Sequence, residues 1–239
     1  MKSVLITGGT VRLGKAIAER LRTEGWRVIT SSHRADAGAD IVADLAEPRS
    51  AAKLYAAALQ MLDGTPPDAL VNNAALFTGD GAAIRAVNLE APKKLTVMMA
   101  GREAGVGAVV NILDSVVLGS LESEATLSDA NPTLSDANPT LSDANPTLSD
   151  PKRPYPASKR ELLAFTRSSA ATFAATLRVN GVAPGPVMAP TDVHEKAGEM
   201  LLDRRPTADD VAAAVSYLLG AEATTGTIIP VDAGQHLLH

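Results

Sequence analysis

The sequence predicts one α/β domain on a doubly wound parallel sheet. Short apolar runs alternate with segments of helical periodicity along most of the chain, and the first such run ends in glycines that open a helix. With 239 residues, 46% apolar and 21% charged, the chain is long enough to bury one continuous core, and a single domain over residues 1–239 is expected.

Val4 to Thr7 reads as the first strand, Gly8 and Gly9 as a turn, and Leu13 to Arg22 as a helix that Gly25 stops. Strands follow at Trp26–Thr30, Ile41–Ala43 and Ala69–Val71, with a helix over Ser50–Leu62 between the last two. One long helix is expected from about Ala82 to Ala104, then a strand over Ala108–Leu113. A helix from about Tyr155 to Thr176, a strand at Leu177–Val182, a helix near Asp209–Leu219 and a strand at Thr227–Val231 complete the alternation. Such an order places ligands at the carboxyl ends of the strands.

One segment departs from this. TLSDANP occurs three times from Thr126 to Pro146, and a truncated TLSDP ends at Pro151, so residues 126–151 form an insertion within the domain. Proline in every repeat rules out a coiled coil despite the seven-residue period, and a run of turns or an extended excursion is expected.

Composition narrows the partners. A formal charge of −5 disfavours nucleic acid, whose binders concentrate Lys and Arg on one face. Without Cys there are no disulfides or thiolate metal sites, and no metal is expected. No leader and no stretch of 18 apolar residues is evident, which predicts a cytoplasmic protein acting on a small molecule away from membranes.

Two motifs carry chemistry. In TGGTVRLG, Thr7 to Gly14, Gly8 and Gly14 allow the backbone to approach a pyrophosphate at the N-terminus of the following helix. The second strand ends in Ser31, Ser32, His33 and Arg34 where an NAD-binding chain would carry an acid for the ribose. A guanidinium beside hydroxyls suits a 2′-phosphate, so NADPH is the expected cofactor, with Ser32, His33 and Arg34 contacting it. In YPASK, the i,i+4 spacing sets Tyr155 and Lys159 on one helical face, where the ammonium favours proton transfer by the phenol.

TGGTVRLG, Asp44, NNA at Asn72 to Ala74, Asn88, YPASK and VNGVAPG from Val179 to Gly185 stand in the order of the short-chain dehydrogenase/reductase family, which the chain resembles outside the insertion. The resemblance implies a Rossmann-like fold and an NADP-dependent oxidoreductase. Gly8, Arg12, Leu13 and Gly14 would line the cofactor turn, Asp44 would contact adenine, and Asn73 and Ala74 would line the groove. Asn88 would hold a proton-relay water, Lys159 would also bind the nicotinamide ribose, and Pro184, Gly185 and Val187 would bracket the nicotinamide. A homodimer or homotetramer is implied as well.

Three departures point to the pteridine reductase branch: Arg12 for the middle glycine, Asp114 for the usual serine, and Phe77 after NNA. Arg12, Phe77, Asp114 and Tyr155 would then border a pterin-like ring. Reducing a ring C=N needs a proton on nitrogen, whereas an ionised Asp would repel the oxyanion of a reduced ketone. Two alternatives stay open: Phe77 as ordinary core, and Ser115 facing the site if the strand end slips by one residue. Ala189 stands where a Thr is common in the family, with Thr191 two further on. The competing functions are a carbonyl reductase of 3-oxoacyl-thioester or sugar-alcohol type and a non-catalytic nucleotide-sensing protein.

Overall fold

Strand β1, Ser3–Thr7, is buried at every position because helices cover both faces of the sheet, so both sets of alternating side chains need apolar surroundings. The computed structural model describes residues 1–103, 105–118, 153–187 and 199–238. The repeat insertion expected at 126–151, together with Ala189 and Thr191, lies outside the described residues.

After β1 come α1 (Arg12–Thr23), β2 (Arg27–Ser32), β3 (Ile41–Val42), α2 (Ser50–Met61), β4 (Ala69–Asn72), α3 (Gly81–Arg85), α4 (Ala91–Ala100) and β5 (Gly107–Ile112). The remaining described elements are α5 (Pro154–Thr172), β6 (Leu177–Pro184), α6 (Ala208–Gly220) and β7 (Ile228–Val231). All strand pairings are parallel, in the order β3-β2-β1-β4-β5-β6-β7. Strand order reverses between β1 and β4, and the crevice at their carboxyl ends is where a doubly wound sheet binds ligand.

The alternation of β1 shows how the two core layers form. Leu5 joins Leu54, Leu70, Leu95 and Val109 on the face covered by α2 and α4. Val4 and Ile6 join Ile17, Leu21, Val71, Val215 and Leu218 on the face covered by α1 and α6. A third cluster, with Leu89, Leu113, Val117, Leu162 and Leu163, seats α5 against the end of β5. Burying one such Leu or Ile stabilises the fold by about 1.5–3 kcal/mol.

The long helix expected over Ala82–Ala104 is a correction. It consists of α3, a π-helical stretch at Ala86–Glu90, and α4, which ends at Ala100. The wider turn holds Asn88, whose side chain is tied to the backbone of Leu76. Helix α5 also ends four residues short of the expected Thr176, because Thr176 and Leu177 both bond the Phe173 carbonyl and turn the chain into β6.

Candidate active site

The turn after β1 is built for close backbone approach. Gly8 has φ +64°, and a Cβ on Gly14 would sit 2.0 Å from the Gly8 carbonyl oxygen and 2.5 Å from Asn73 Nδ2. Asn73 Nδ2 donates to the carbonyls of Thr7 and Gly8, each at 3.0 Å, and the Thr7 hydroxyl accepts from the amides of Asn73 and Ala74. The ends of β1 and β4 are thereby bound into one wall. Arg12 begins α1 at φ +49°, in the region that favours glycine, and its side chain is exposed. Leu13 is half-buried against the α1–α6 core. Thr10, which the motif reading passed over, has a hydroxyl that is buried without a hydrogen-bond partner beside the helix N-terminus. That orphaned donor and the glycine cradle fit a phosphate-bearing cofactor.

At the end of β2, Ser32 is buried and its Oγ accepts from the Arg34 amide at 3.1 Å. His33 and Arg34 are exposed, and the Arg34 guanidinium is bonded to Asp36. Asp44 is exposed and borders a cleft of about 380 Å³ shared with Ile41 and Lys53, apart from Tyr155. On the opposite wall, Pro184 ends β6, the Gly185 amide donates to Val231, and the Val187 amide donates to Gly185.

Asp114, Tyr155 and Lys159, the groups expected to handle the proton, meet between β5 and α5. Tyr155 Oη donates to Asp114 Oδ2 at 2.7 Å, and Asp114 also accepts from the Val116 amide at 3.0 Å. Asp114 therefore faces Tyr155, and Ser115 is buried. Burial raises the Asp114 carboxyl above its usual range, against the hydrogen bonds from Tyr155 and Val116 and the nearby Lys159 charge. Lys159 Nζ donates to the Ile112 carbonyl at 2.8 Å and lies 5.8 Å from the centre of the Tyr155 ring. Burial lowers Lys159 to about 8, with Asp114 opposing the drop.

Phe77 is 56% exposed, so it is not core, and its ring stacks on Tyr155 with centroids 4.7 Å apart at 28°. Asn88 explains how Phe77 is held. Its Oδ1 accepts from the Leu76 amide at 2.8 Å, while Nδ2 donates to the Leu76 carbonyl at 2.9 Å and to Ser158 Oγ at 3.2 Å. A second polar chain went unseen in the sequence: Asn72 donates to Asn111, Asn111 to Thr166, and Thr166 to the Leu162 carbonyl, linking β4 and β5 to α5. The sheet pairing of Asn72 with Asn111 and the packing of α5 beside β5 bring its members together.

Among the described residues no His/Cys/Asp/Glu cluster could hold a metal, and no helix is long and apolar enough to cross a membrane.

A family model described as enoyl-(acyl carrier protein) reductase matches residues 141–236. The short-chain dehydrogenase/reductase homolog YusR of Bacillus subtilis is 37% identical over 90 residues, which are 35% of this chain and 70% of that protein. The chain belongs to the short-chain dehydrogenase/reductase family. It is accordingly an NAD(P)-dependent oxidoreductase, with the doubly wound sheet of that family. The putative ketoacyl reductase 2 of granaticin polyketide synthase from Streptomyces violaceoruber is 29% identical, covering 98% of this family member and 96% of its own length. Pteridine reductase 1 of Leishmania tarentolae is 27% identical, with 98% and 96% covered. Among solved structures, FolM alternative dihydrofolate reductase 1 from Brucella canis, complexed with NADP, superposes with a TM-score of 0.76 at 29% identity over 99% of this chain and 94% of that one.

Proposed function

We propose that this enzyme uses NADPH to reduce a ring C=N of a pterin-like substrate of the dihydropterin or dihydrofolate type. The observation that carries the reading is the 2.7 Å contact between Tyr155 Oη and Asp114 Oδ2, which sets a carboxyl where carbonyl reduction calls for donors only. The similarity to FolM and pteridine reductase 1 supports it, and the former is complexed with NADP.

NADPH, when bound, supplies the hydride that the ring carbon accepts. Gly8, Arg12, Leu13, Gly14, Asn73 and Ala74 would hold it across the β1–β4 crevice, with Ser32, His33 and Arg34 at its 2′-phosphate and Asp44 near the adenine. Pro184, Gly185 and Val187 would border its nicotinamide, and Lys159 its ribose. Tyr155 gives its proton to the ring nitrogen, so the C=N gains one hydride and one proton. The resulting phenolate is stabilised by the nearby Lys159 ammonium and regains its proton from solvent, after which the phenol again donates to Asp114. Phe77 offers an aromatic face to the ring, Arg12 a cation to its polar edge, and Asn88 fixes the segment that carries Phe77. The same reading takes residues 1–239 as one domain interrupted by the insertion at 126–151, working in the cytoplasm as a homodimer or homotetramer.

A carbonyl reductase is the second reading, favoured by the similarity to the granaticin ketoacyl reductase. NADPH oxidation with 7,8-dihydropterins and dihydrofolate, run beside acetoacetyl thioesters and diketones, separates the two. Asp114→Ser is expected to lose pterin reduction and keep carbonyl reduction, while Tyr155→Phe loses both by about 10²–10⁴. Unchanged dihydropterin turnover in Asp114→Ser would refute the role of Asp114. Absence of turnover with every substrate would favour a nucleotide-sensing protein.

A further inference from the structure

Just beyond β2 the chain sets two opposite charges on one short turn. Arg34 caps a single 3-10 turn, Ala35–Ala37, and Asp36 lies within it. The guanidinium donates from Nε to Asp36 Oδ1 at 3.0 Å and from Nη2 to Oδ2 at 2.7 Å, so one edge of the fork is engaged in a bidentate pair. Both side chains are exposed, at 60% and 71%. Resting on the reading of Arg34 as a 2′-phosphate contact, we infer that Asp36 is a cofactor-specificity residue that competes with that phosphate for Arg34 and limits the preference for NADPH over NADH.

A 2′-phosphate has two ways to reach this guanidinium, and Asp36 opposes both. Taking the Nε–Nη2 edge means breaking the pair with Asp36, a loss worth a few-fold in affinity for an exposed ion pair. Taking the other edge leaves a phosphate of about −1.5 to −2 charge facing a carboxylate across one planar group, and that repulsion in water is again a few-fold. Preorganisation by Asp36 is a weak counterweight, since so exposed a pair restricts Arg34 little. NADH bears an uncharged hydroxyl at this position and is affected far less.

The test measures dissociation constants of NADP⁺ and NAD⁺, and of the nicotinamide-free probes adenosine 2′,5′-bisphosphate and AMP, by calorimetry. Asp36→Asn keeps the size and an acceptor oxygen but removes the charge. NADP⁺ and the bisphosphate are expected to bind about three- to tenfold tighter, with NAD⁺ and AMP changed less than about twofold. Unchanged or weaker NADP⁺ binding would overturn the inference. Arg34→Gln, measured alongside, separates the two layers. A loss confined to the 2′-phosphorylated ligands while Asp36→Asn is silent defeats the role of Asp36 alone, and an equal loss for all four ligands defeats the reading of Arg34 and the inference with it.

Discussion

Replacing Lys159 with Met is expected to stabilise the protein near neutral pH while abolishing turnover. The lysine is 2% exposed, and its drop from 10.5 to about 8 corresponds to roughly 3 kcal/mol of disfavour for the buried ammonium. Methionine has a similar reach and no charge, but loses the bond to the Ile112 carbonyl, worth about 1 kcal/mol. Asp114 loses the cation that lowers its pKa and takes up a proton more readily, which offsets part of the gain. The net gain is at most about 2 kcal/mol at pH 6–7, or no more than roughly 4–8 °C in Tm for a chain of this size. The sign depends on pH. Between about 8 and 10.5 the folded lysine is neutral while the unfolded one still binds its proton, so wild-type stability rises with pH across that window and is lost as pH falls through 8. The advantage of Lys159→Met must shrink over the same range. Thermal unfolding by circular dichroism at pH 6 and pH 10 measures it. A variant less stable than wild type at pH 6, or an advantage independent of pH, would refute the argument that desolvation governs this site.

Gly14→Ala places a methyl 2.0 Å from the Gly8 carbonyl oxygen, so the turn must open by more than about 1 Å to reach van der Waals contact. A stability loss of about 1–3 kcal/mol and at least about tenfold weaker NADP⁺ binding are expected, and calorimetry showing wild-type affinity would contradict the phosphate cradle. Asn88→Ala removes partners from both polar groups of Leu76 and should cost about 1–3 kcal/mol. By freeing Phe77 it should also raise KM for a dihydropterin while NADP⁺ affinity stays within about twofold. If KM is unmoved, Asn88 does not position Phe77. Asn88→Asp, which keeps the acceptor for the Leu76 amide, should restore part of the KM.

The strands and helices were legible in the sequence because their signals are local. The apolar run of Val4 to Thr7, the helix from about Tyr155, and the i,i+4 spacing of Tyr155 and Lys159 all follow from neighbours in the chain. So did the glycine turn, since Gly8 at φ +64° needs no distant residue to explain it. Sheet order and the register at the end of β5 required the fold. Whether Asp114 or Ser115 meets Tyr155, 41 residues away, depends on where α5 packs, and the hydrogen bond goes to Asp114. The roles of Thr10, Ile112, Ser158 and the Asn72–Asn111–Thr166 chain were hidden for the same reason. A hydroxyl, a carbonyl or an amide is common in any sequence, and it gains chemical meaning only when parallel pairing of β4, β5 and β6 brings it against a particular partner in a low-dielectric interior. Residue types and helical spacing thus set what chemistry was possible, while the tertiary structure decided that Tyr155 meets Asp114 and that the Lys159 charge is desolvated.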